Sequence, residues 1–235
     1  MTGAPDDMDM DSPAGTRAKP AAAPPADEAT ESGAKRAQIL AGARRVFLSR
    51  GFDAAAMGEI AREAGVSKGT LYVYFDSKEA LFRALIVDLK RSTAERLTEL
   101  DWCNEGLEAA LARFAARLLH EVLEPDHVAL LRMVVAASDR FPDIGRTFFE
   151  AGPQYGATRL AEHLALRAAR GEVALDGVDP QDAAWHFLGL IKNPISLCAL
   201  MSAAPRPTME ELSRVGREAA RVFMRAYGPR GGPAA

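Results

Sequence analysis

Apolar residues recur at three- and four-residue spacing along most of the chain, and this spacing restricts the protein to a helical fold. An early example begins at Ile39 and ends before Gly51, a residue that suits a helix C-terminus. A late example runs from Leu212 to Ala226. No segment shows the two-residue alternation of a half-buried strand. We therefore predict an all-α protein.

Glycines divide the pattern into short helices followed by long ones. Gly51 and Gly65 end the first two helices, and the helices lengthen only beyond residue 90. Such segment lengths predict a small three-helix domain followed by a larger helical domain. The predicted domains are residues 33–82 and residues 83–228, with a flexible C-terminal tail over residues 229–235.

Capping residues mark several predicted helix starts. An acidic or hydroxyl side chain followed three residues later by Glu is a capping box, and Pro is favoured at the first helical position. The three signals in this chain are Asp76 with Glu79, Asp179 with Pro180, and Thr208 with Glu211.

Residues 1–32 have a different composition from the rest of the chain. They are poor in aromatic and large aliphatic residues, and they contain the run "AKPAAAPPADEA" and seven acids against two basic residues. Such a segment buries too little apolar surface to offset the entropy of ordering it. We expect residues 1–32 to be a disordered N-terminal tail.

The bulk composition allows a packed core and argues against a membrane span. Of the 235 residues, 48% are hydrophobic, yet no uncharged apolar run approaches the roughly 18 residues that a span requires. The N-terminus lacks the pattern of a secretory signal. Cys103 and Cys198 form neither a disulfide framework nor a metal-binding motif. We expect a cytoplasmic protein without a membrane partner.

Positive charge is concentrated near the N-terminal domain. The formal net charge of the whole chain is -3, but residues 33–90 carry ten lysines and arginines against six acids. A locally basic segment in an acidic protein favours an anionic partner for that segment.

The stretch "AGVSKGTLYVYFDSKEALF", residues 64–82, has the features of a helix-turn-helix. Gly65 can adopt a positive φ at a tight corner, and Ser67 can cap the helix that follows. Leu71 and Phe75 share one face of that helix and are predicted to point into the core. The outward side chains are then Lys68, Gly69, Thr70, Tyr72 and Tyr74.

These outward residues suit a DNA major groove. A cation and hydroxyls can bind base edges and phosphates, a glycine permits close approach, and tyrosines can stack or donate. Lys78 follows at the start of the next helix, where free N–H groups also favour a phosphate.

Residues 35–82 resemble the N-terminal domain of the TetR/AcrR family of transcriptional regulators. The matching run is "ILAGARRVFLSRGFDAAAMGEIAREAGVSKGTLYVYFDSKEALF". The resemblance implies a helix-turn-helix domain, a larger helical domain for ligand binding and dimerisation, and a double-stranded DNA operator as partner on the nucleoid. It implies a recognition role for Ser67, Lys68, Gly69, Thr70, Tyr72 and Tyr74, and a phosphate-clamp role for Lys78.

One departure from the family pattern lies just before the second helix. The family usually has Thr or Ser there, whereas this chain has Ala55 and Ala56. Loss of an N-cap hydroxyl costs about 1 kcal/mol of helix stability, and a phosphate contact is lost with it. Arg44, Arg45 and Arg50 offer compensating charge nearby.

The C-terminal domain resembles the AefR-like class of this family. The segments "AASDRFPDIGRTFFEAGP" and "DAAWHFLGLIKNPISL" carry the likeness. The last two predicted helices, at about residues 180–201 and 208–227, have broad apolar stripes. Such helices can pair across a two-fold axis, so we expect a homodimer.

A ligand pocket in a helical domain is expected to lie between helices and to be mainly apolar. The candidate pocket residues are Met133, Phe149, Tyr155, Trp185 and Phe187. Pro194 should kink its helix, because it removes a backbone donor and crowds the preceding turn.

Metal binding and catalysis find little support in the sequence. His120 and His127 lie near three acids, but a predicted loop separates them and no cysteine joins them. No nucleophile–base arrangement or Gly-rich phosphate loop is present. We expect neither a metal, nor another cofactor, nor enzymatic activity.

We interpret the chain as a homodimeric repressor that binds a palindromic operator and that a small, apolar effector releases. An activator, or a repressor that needs a co-ligand, fits the same residues. A DNA-organising protein without sequence preference is an alternative from another class. An enzyme that uses the helical domain is a third, although it would lack catalytic residues.

Overall fold

The computed structural model describes residues 26–98 and 105–229, without the side chains of residues 26–30 and 94–98. Within these ranges every regular element is helical, which confirms the all-α prediction. A π-helical turn, Glu150–Gln154, joins α7 to α8. The α-helices are α1 Ala26–Ala54, α2 Met57–Glu63, α3 Lys68–Tyr74, α4 Lys78–Thr98, α5 Leu107–Val122, α6 Pro125–Ser138, α7 Pro142–Phe149, α8 Tyr155–Ala169, α9 Pro180–Lys192, α10 Ile195–Leu200 and α11 Met209–Tyr227.

The described residues divide into two units, one ending at residue 35 and the other beginning at residue 36. In the first unit, residues 26–35 form the beginning of α1. The expected disordered tail falls largely on residues 1–25, which lie outside the described residues. Its last part, residues 26–32, is helical, because "ADEATES" combines alanine and glutamate with acids near a helix N-terminus. Of the expected C-terminal tail, residues 230–235 are likewise outside the description.

Helices α1 to α3 form the predicted helix-turn-helix arrangement. Regular helical geometry in α1 is interrupted at Gly51, where φ is 77°. Gly65 adopts the expected positive φ, 64°, in the turn between α2 and α3. Gln38 donates to the carbonyl of Ala64 over 2.7 Å and holds this turn against α1. Gly42 permits the close approach, because a Cβ there would lie 2.7 Å from the Ala64 Cα.

Of the caps predicted at Asp76, Asp179 and Thr208, two are confirmed. Asp179 accepts from the backbone of Gln181 at the start of α9, and Thr208 forms the predicted capping box at the start of α11. The third prediction is wrong by one residue. The hydroxyl of Ser77, not the carboxylate of Asp76, accepts from the backbone N–H of Ala80 at the start of α4.

Two hydrophobic clusters stabilise the second unit. The N-terminal core joins α1–α3 to α4, α6 and α7. At its centre Phe82 lies 4.9 Å, between ring centroids, from both Phe47 and Phe52. The domain boundary expected after residue 82 therefore falls inside the continuous helix α4 and inside a shared core.

The C-terminal core lies between α5, α8, α9 and α11. The apolar stripe of α11 packs on α5 through Leu212, Ala220 and Phe223, while the other side of α11 is charged and exposed. This chain's own core therefore covers most of the stripe that suggested subunit pairing.

Proline alters the expected helices at two places. Pro194 separates α9 from α10, so the helix predicted over about residues 180–201 is two helices rather than one kinked helix. Asn193, the residue before it, is extended, as a residue before proline favours. Pro153 lies within the π-helical turn, where it widens the helical path locally without ending it.

Gly216 provides a test of the packing between α11 and α5. A Cβ at this position would overlap the carbonyl oxygen of Ala112 and would lie 3.2 Å from the Ala115 Cβ. We expect Gly216→Ala to lower the free energy of unfolding by about 1–3 kcal/mol, because helix backbone must move. Gly156→Ala is the control, since nothing lies within 4 Å of its Cβ position. Urea denaturation that shows equal stability for both variants would contradict the close contact.

Candidate nucleic-acid interface and ligand cavity

Helix α3 begins with a cap that fixes its first turn. The Ser67 hydroxyl accepts from the backbone N–H of Thr70 over 2.9 Å, which confirms the predicted cap. The two hydroxyls of these residues are 2.8 Å apart. Ser67 and Thr70 therefore hold each other at the N-terminal end of α3, where backbone N–H groups favour an anion.

The predicted recognition residues lie together on the outer side of α3, except Tyr74, which packs against the N-terminal core. Lys68, Gly69 and Tyr72 are exposed, whereas Thr70 and Tyr74 are half-buried. Leu71 is fully buried beneath them and anchors α3 in the N-terminal core. The arrangement presents a cation, a hydroxyl and a phenol ring from one short, rigid helix.

Val73 is an exposed residue of α3 that the sequence analysis missed. Its side chain is 82% exposed, between two tyrosines. Its helical position was the available signal, because it lies opposite the buried Leu71 and Phe75. An exposed aliphatic group on such a surface can contact a thymine methyl group.

Lys78 is turned inward rather than extended toward solvent. Its ammonium donates to the carbonyl oxygens of Asp53 over 2.9 Å and of Ala55 over 3.1 Å. It also lies 4.8 Å from the ring centroid of Phe52. An ammonium has three N–H donors, so one remains for a phosphate. Lys78 thus links the start of α4 to the loop before α2.

The three arginines that could offset the missing hydroxyl before α2 already pair with acids. The pairs are Arg44 with Asp126, Arg45 with Glu63, and Arg50 with Glu59. Their charge is therefore partly neutralised within the protein. Ala56 is the N-cap of α2 and makes no side-chain hydrogen bond.

A cavity of about 540 Å³ lies between α4, α5, α6, α8 and α9, and we call it the helical-domain cavity. Its volume lies in the range typical of small-molecule sites. The apolar part of the lining consists mainly of aromatic and aliphatic side chains: Phe114, Leu118, Val122, Leu123, Val128, Leu131, Phe148, Leu160, Leu188 and Leu200.

The five predicted pocket residues are not brought together. Tyr155 lines the helical-domain cavity, and Met133 lines a second cavity of about 220 Å³. Phe149 and Trp185 line neither of these two cavities and stack on each other with parallel rings 6.1 Å apart. Phe187 is fully buried in the C-terminal core against Phe223, which leaves no face for a ligand.

Basic side chains at the helical-domain cavity were missed by the sequence analysis. Lys90 is buried, and its ammonium lies 3.1 Å from Nε2 of His127. Lys192 lines the same cavity. The sequence does carry a signal, because Lys90 follows Phe82 and Ile86 at four-residue spacing on the apolar face of α4.

Burial lowers the pKa values of Lys90 and His127. Burial, followed by the charge of Lys192, lowers the pKa of Lys90 to about 7. Burial, followed by the charges of the two lysines, lowers the pKa of His127 to about 3. His127 is therefore neutral and can accept a hydrogen bond from Lys90.

Residues 26–98 and 105–229 contain neither a metal-binding cluster nor a membrane-spanning helix. No group of three His, Cys, Asp or Glu side chains there is placed to hold a metal ion. No helix in these ranges has the length and apolar character needed to cross a bilayer. His120 lies 3.3 Å from the Glu124 carboxylate, whereas His127 faces Lys90.

Family models match both parts of the chain. One described as the AefR-like transcriptional repressor C-terminal domain covers residues 109–229, which is more than half of the sequence. One described as bacterial regulatory proteins of the tetR family covers residues 39–85. The chain belongs to the TetR family of transcriptional regulators. It is a helix-turn-helix DNA-binding regulator, and proteins of this family are regulators rather than enzymes.

Individual TetR-family relatives agree with this assignment. The flavonoid-responsive regulator FrrA is 36% identical over 85% of this chain and 100% of its own, with a TM-score of 0.73. A TetR-family regulator from Mesorhizobium loti MAFF303099 is 28% identical over 84% and 98% of the two chains, with a TM-score of 0.76. The regulator UidR of Escherichia coli strain K12 is 40% identical over 70 residues. That match covers 30% of this chain and only about a third of UidR, 36%.

The uncapped start of α2 gives a test in this TetR-family domain. We expect Ala56→Ser to raise the free energy of unfolding by about 1 kcal/mol, because the hydroxyl can accept from a free backbone N–H in the first turn. Operator binding should tighten as well, through a phosphate contact. The control is Ala54→Ser, which places a hydroxyl on an exposed residue that caps no helix. Thermal melts and DNA titrations without a gain over the control would refute the capping argument.

Proposed function

We propose that the protein is a homodimeric repressor whose two α3 helices bind a palindromic operator, and that a small effector in the helical-domain cavity releases it. The observation that carries the proposal is the exposed surface of α3, which combines Lys68, Gly69, Tyr72 and Val73 on a buried anchor. We also propose that the protein binds DNA in the cytoplasm.

Helix α3 has the chemistry for reading a major groove. Lys68 and the hydroxyls of Thr70 and Tyr72 can bind base edges or phosphates, and Val73 can contact a thymine methyl group. We propose that Ser67 positions the first turn through its cap and presents its backbone N–H near a phosphate. Tyr74, half-buried, supports the helix from its C-terminal end.

Lys78 has a proposed dual role. Two of its donors tie the start of α4 to the carbonyls of Asp53 and Ala55. The third can bind a DNA phosphate beside α3. The lysine would then hold the DNA-binding domain in one arrangement and contribute to affinity without reading sequence.

A dimer supplies the geometry for a palindromic site. Two recognition helices must be separated by about 34 Å, one turn of B-DNA, to enter successive major grooves. We propose that α9 and α11, which pack on each other, provide the pairing surface. Their exposed apolar residues include Leu190 on α9 and Val222 on α11.

Helix α6 connects the helical-domain cavity to the DNA-binding domain. His127, Val128 and Leu131 on α6 line the cavity. The same helix places Leu130 and Val134 in the N-terminal core. Asp126, at its first turn, binds Arg44 of α1 over 2.7 Å. A ligand that moves α6 would therefore act directly on the packing of α1.

A second link joins the segment after α6 to the loop before α2. Arg140 pairs with Asp53, whose backbone carbonyl accepts from Lys78. The effector can release DNA only as far as it prefers the non-binding conformation. A coupling free energy of about 1–3 kcal/mol would suffice for a switch.

The mainly apolar lining favours a small, largely apolar effector. FrrA, the relative described as flavonoid-responsive, supports a small organic ligand in this fold. The repressor direction is supported by the description of the matching C-terminal family model. An activator, or a repressor that needs its ligand, would instead bind the operator more tightly when the effector is present.

The proposal is tested by a gel shift with the DNA upstream of the protein's own gene and excess nonspecific competitor. We expect a discrete band that survives competitor, because base contacts make specific binding far tighter than nonspecific binding. A band that competitor removes from this and from genome-selected DNA would instead support a DNA-organising protein.

Variants of α3 and α4 separate base reading from phosphate binding. We expect Tyr72→Ala to weaken operator binding by about 1–3 kcal/mol and to relax specificity, with Tyr72→Phe as the control for ring stacking. We expect Lys78→Ala to weaken all DNA alike and to reduce the salt slope by about one unit. Titrations at several salt concentrations measure both effects. If neither variant alters binding, the assignment of this surface to DNA is wrong.

Charged substitutions test the proposed pairing surface. We expect Leu190→Asp combined with Val222→Asp to give monomers, because burial of the new carboxylates in an interface is costly. Val135→Asp, at a similarly exposed position on α6, is the control and should stay dimeric. Analytical ultracentrifugation distinguishes the species. Dimers in the double variant would place the interface elsewhere.

A further inference from the structure

We infer that the effector of the helical-domain cavity is an amphipathic organic acid. Its anionic group binds at Lys90 and Lys192, and its apolar body occupies the rest of the cavity. The inference rests on the proposed function and narrows the apolar effector expected there to a ligand with one anionic end.

Lys90 is held as part of a built site rather than as a solvated side chain. It is only 6% exposed, and its ammonium lies 3.8 Å from the ring centroid of Phe148 and 3.1 Å from Nε2 of His127. Its stem runs against the π-helical turn, where a Cβ at Gly152 would lie 2.9 Å from Cδ and Cε of the lysine. Glycine at this position therefore leaves room for the lysine.

Neither Lys90 nor Lys192 has a carboxylate partner among the described residues, whereas Arg159, which also lines the cavity, pairs with Glu162. The described lining contains Lys90 and Lys192 but no Asp or Glu. Lys90 also lines the adjacent 220 Å³ cavity, where the acids are Glu121, Glu124 and Asp126. Asp126 pairs with Arg44 and Glu124 pairs with Arg206 rather than with Lys90. Burial of a cation without an anion is costly. A ligand anion would supply the missing charge.

The lowered pKa values have the same cause. Burial lowers the pKa of Lys90 to about 7 and also lowers the pKa of Lys192. A bound anion would favour the charged form of both lysines and would raise these pKa values again. His127 stays neutral, and its Nε2 lies 3.1 Å from the Lys90 ammonium.

A further polar atom points to a ligand in the same cavity. The hydroxyl of Ser196 is buried at the cavity lining and has no hydrogen-bond partner within the described residues. Buried hydroxyls are normally hydrogen-bonded. A carboxylate or phenolate oxygen would provide an acceptor. The remaining wall is mainly apolar, so a ligand that binds here needs both kinds of surface.

The experiment uses two fluorescent probes that share an N-phenylnaphthylamine skeleton. One, 8-anilinonaphthalene-1-sulfonate, is an anion, and the other, N-phenyl-1-naphthylamine, is neutral. Their dissociation constants are measured without DNA for the full chain and for Lys90→Met, Lys192→Met and Lys35→Met. Lys35 does not line the cavity and serves as the matched control.

We expect Lys90→Met and Lys192→Met each to weaken binding of the anionic probe by about tenfold or more relative to the neutral probe, as expected for loss of a charge-assisted hydrogen bond. Lys35→Met should leave the ratio of the two dissociation constants unchanged. An unchanged ratio in both cavity variants, with folding verified by circular dichroism, would overturn the inference.

A pH titration of the unmodified chain tests the same point without a substitution. Binding of an anion requires protonated Lys90, so affinity for the anionic probe should fall between about pH 6 and pH 9, by up to about tenfold per pH unit above the lysine's pKa. The neutral probe should show no such loss. Equal pH dependence of the two probes would contradict the inference.

Other titratable groups around Lys90 fit this assignment. Burial lowers the pKa of His127 to about 3, so His127 is neutral across this pH range. Burial also lowers the pKa values of His163 and Lys192. The remaining charged or titratable side chains that line this cavity or the adjacent one are Tyr155, Arg159, Arg44, Glu121, Glu124 and Asp126.

The experiments distinguish failure of this inference from failure of the proposed function. The gel shift without ligand tests operator binding, whereas the probe titrations test the cavity without DNA. If a specific operator band is observed but neither lysine variant changes the ratio of the two probe dissociation constants, only the inference of an acidic effector is wrong. If binding of the anionic probe depends on the lysines but no specific operator is found, only the proposal of a repressor is wrong.

Discussion

The packing of Phe47 and Phe52 against Phe82 holds the helix-turn-helix on the rest of the N-terminal core. Phe82 belongs to α4, and its neighbours Phe47 and Phe52 belong to α1. Phe52 also contacts Phe141, just before α7, with ring centroids 5.7 Å apart. Aromatic side chains bury large areas and interact in specific geometries. The helix-turn-helix therefore packs on α4 and α6, which also line the helical-domain cavity.

Helices α4 and α6 extend from that core to the helical-domain cavity, where Lys90 of α4 is buried. On α4 the apolar row of Phe82 and Ile86 continues directly into Lys90. The protein thus places a cation where packing favours an aliphatic side chain. Such a local conflict with the folding pattern is typical of functional sites.

Much of the helix-turn-helix was predictable because its signals are local. Gly65 and Ser67 act within one turn of their own backbone, so residue type alone indicates the positive φ and the cap. Asp76 shows the limit of this reasoning. It and Ser77 are both good caps, and only the path of the chain into α4 decided that Ser77 is used. Lys78 is similar, since its inward direction depends on carbonyl groups 23 and 25 residues away.

The sequence by itself determined the helical class, the positions of most helix ends and the outward face of α3, since periodicity and capping depend on neighbours along the chain. Tertiary structure alone decided which side chains line the cavity. Phe187 lies in the core and Tyr155 at the cavity, although both are aromatic residues on helices. Their difference arises from which helices pack on each side. The charge of the cavity was decided in the same way, because Lys90 and Lys192 are 102 positions apart in sequence and meet only when α4 and α9 enclose the same space.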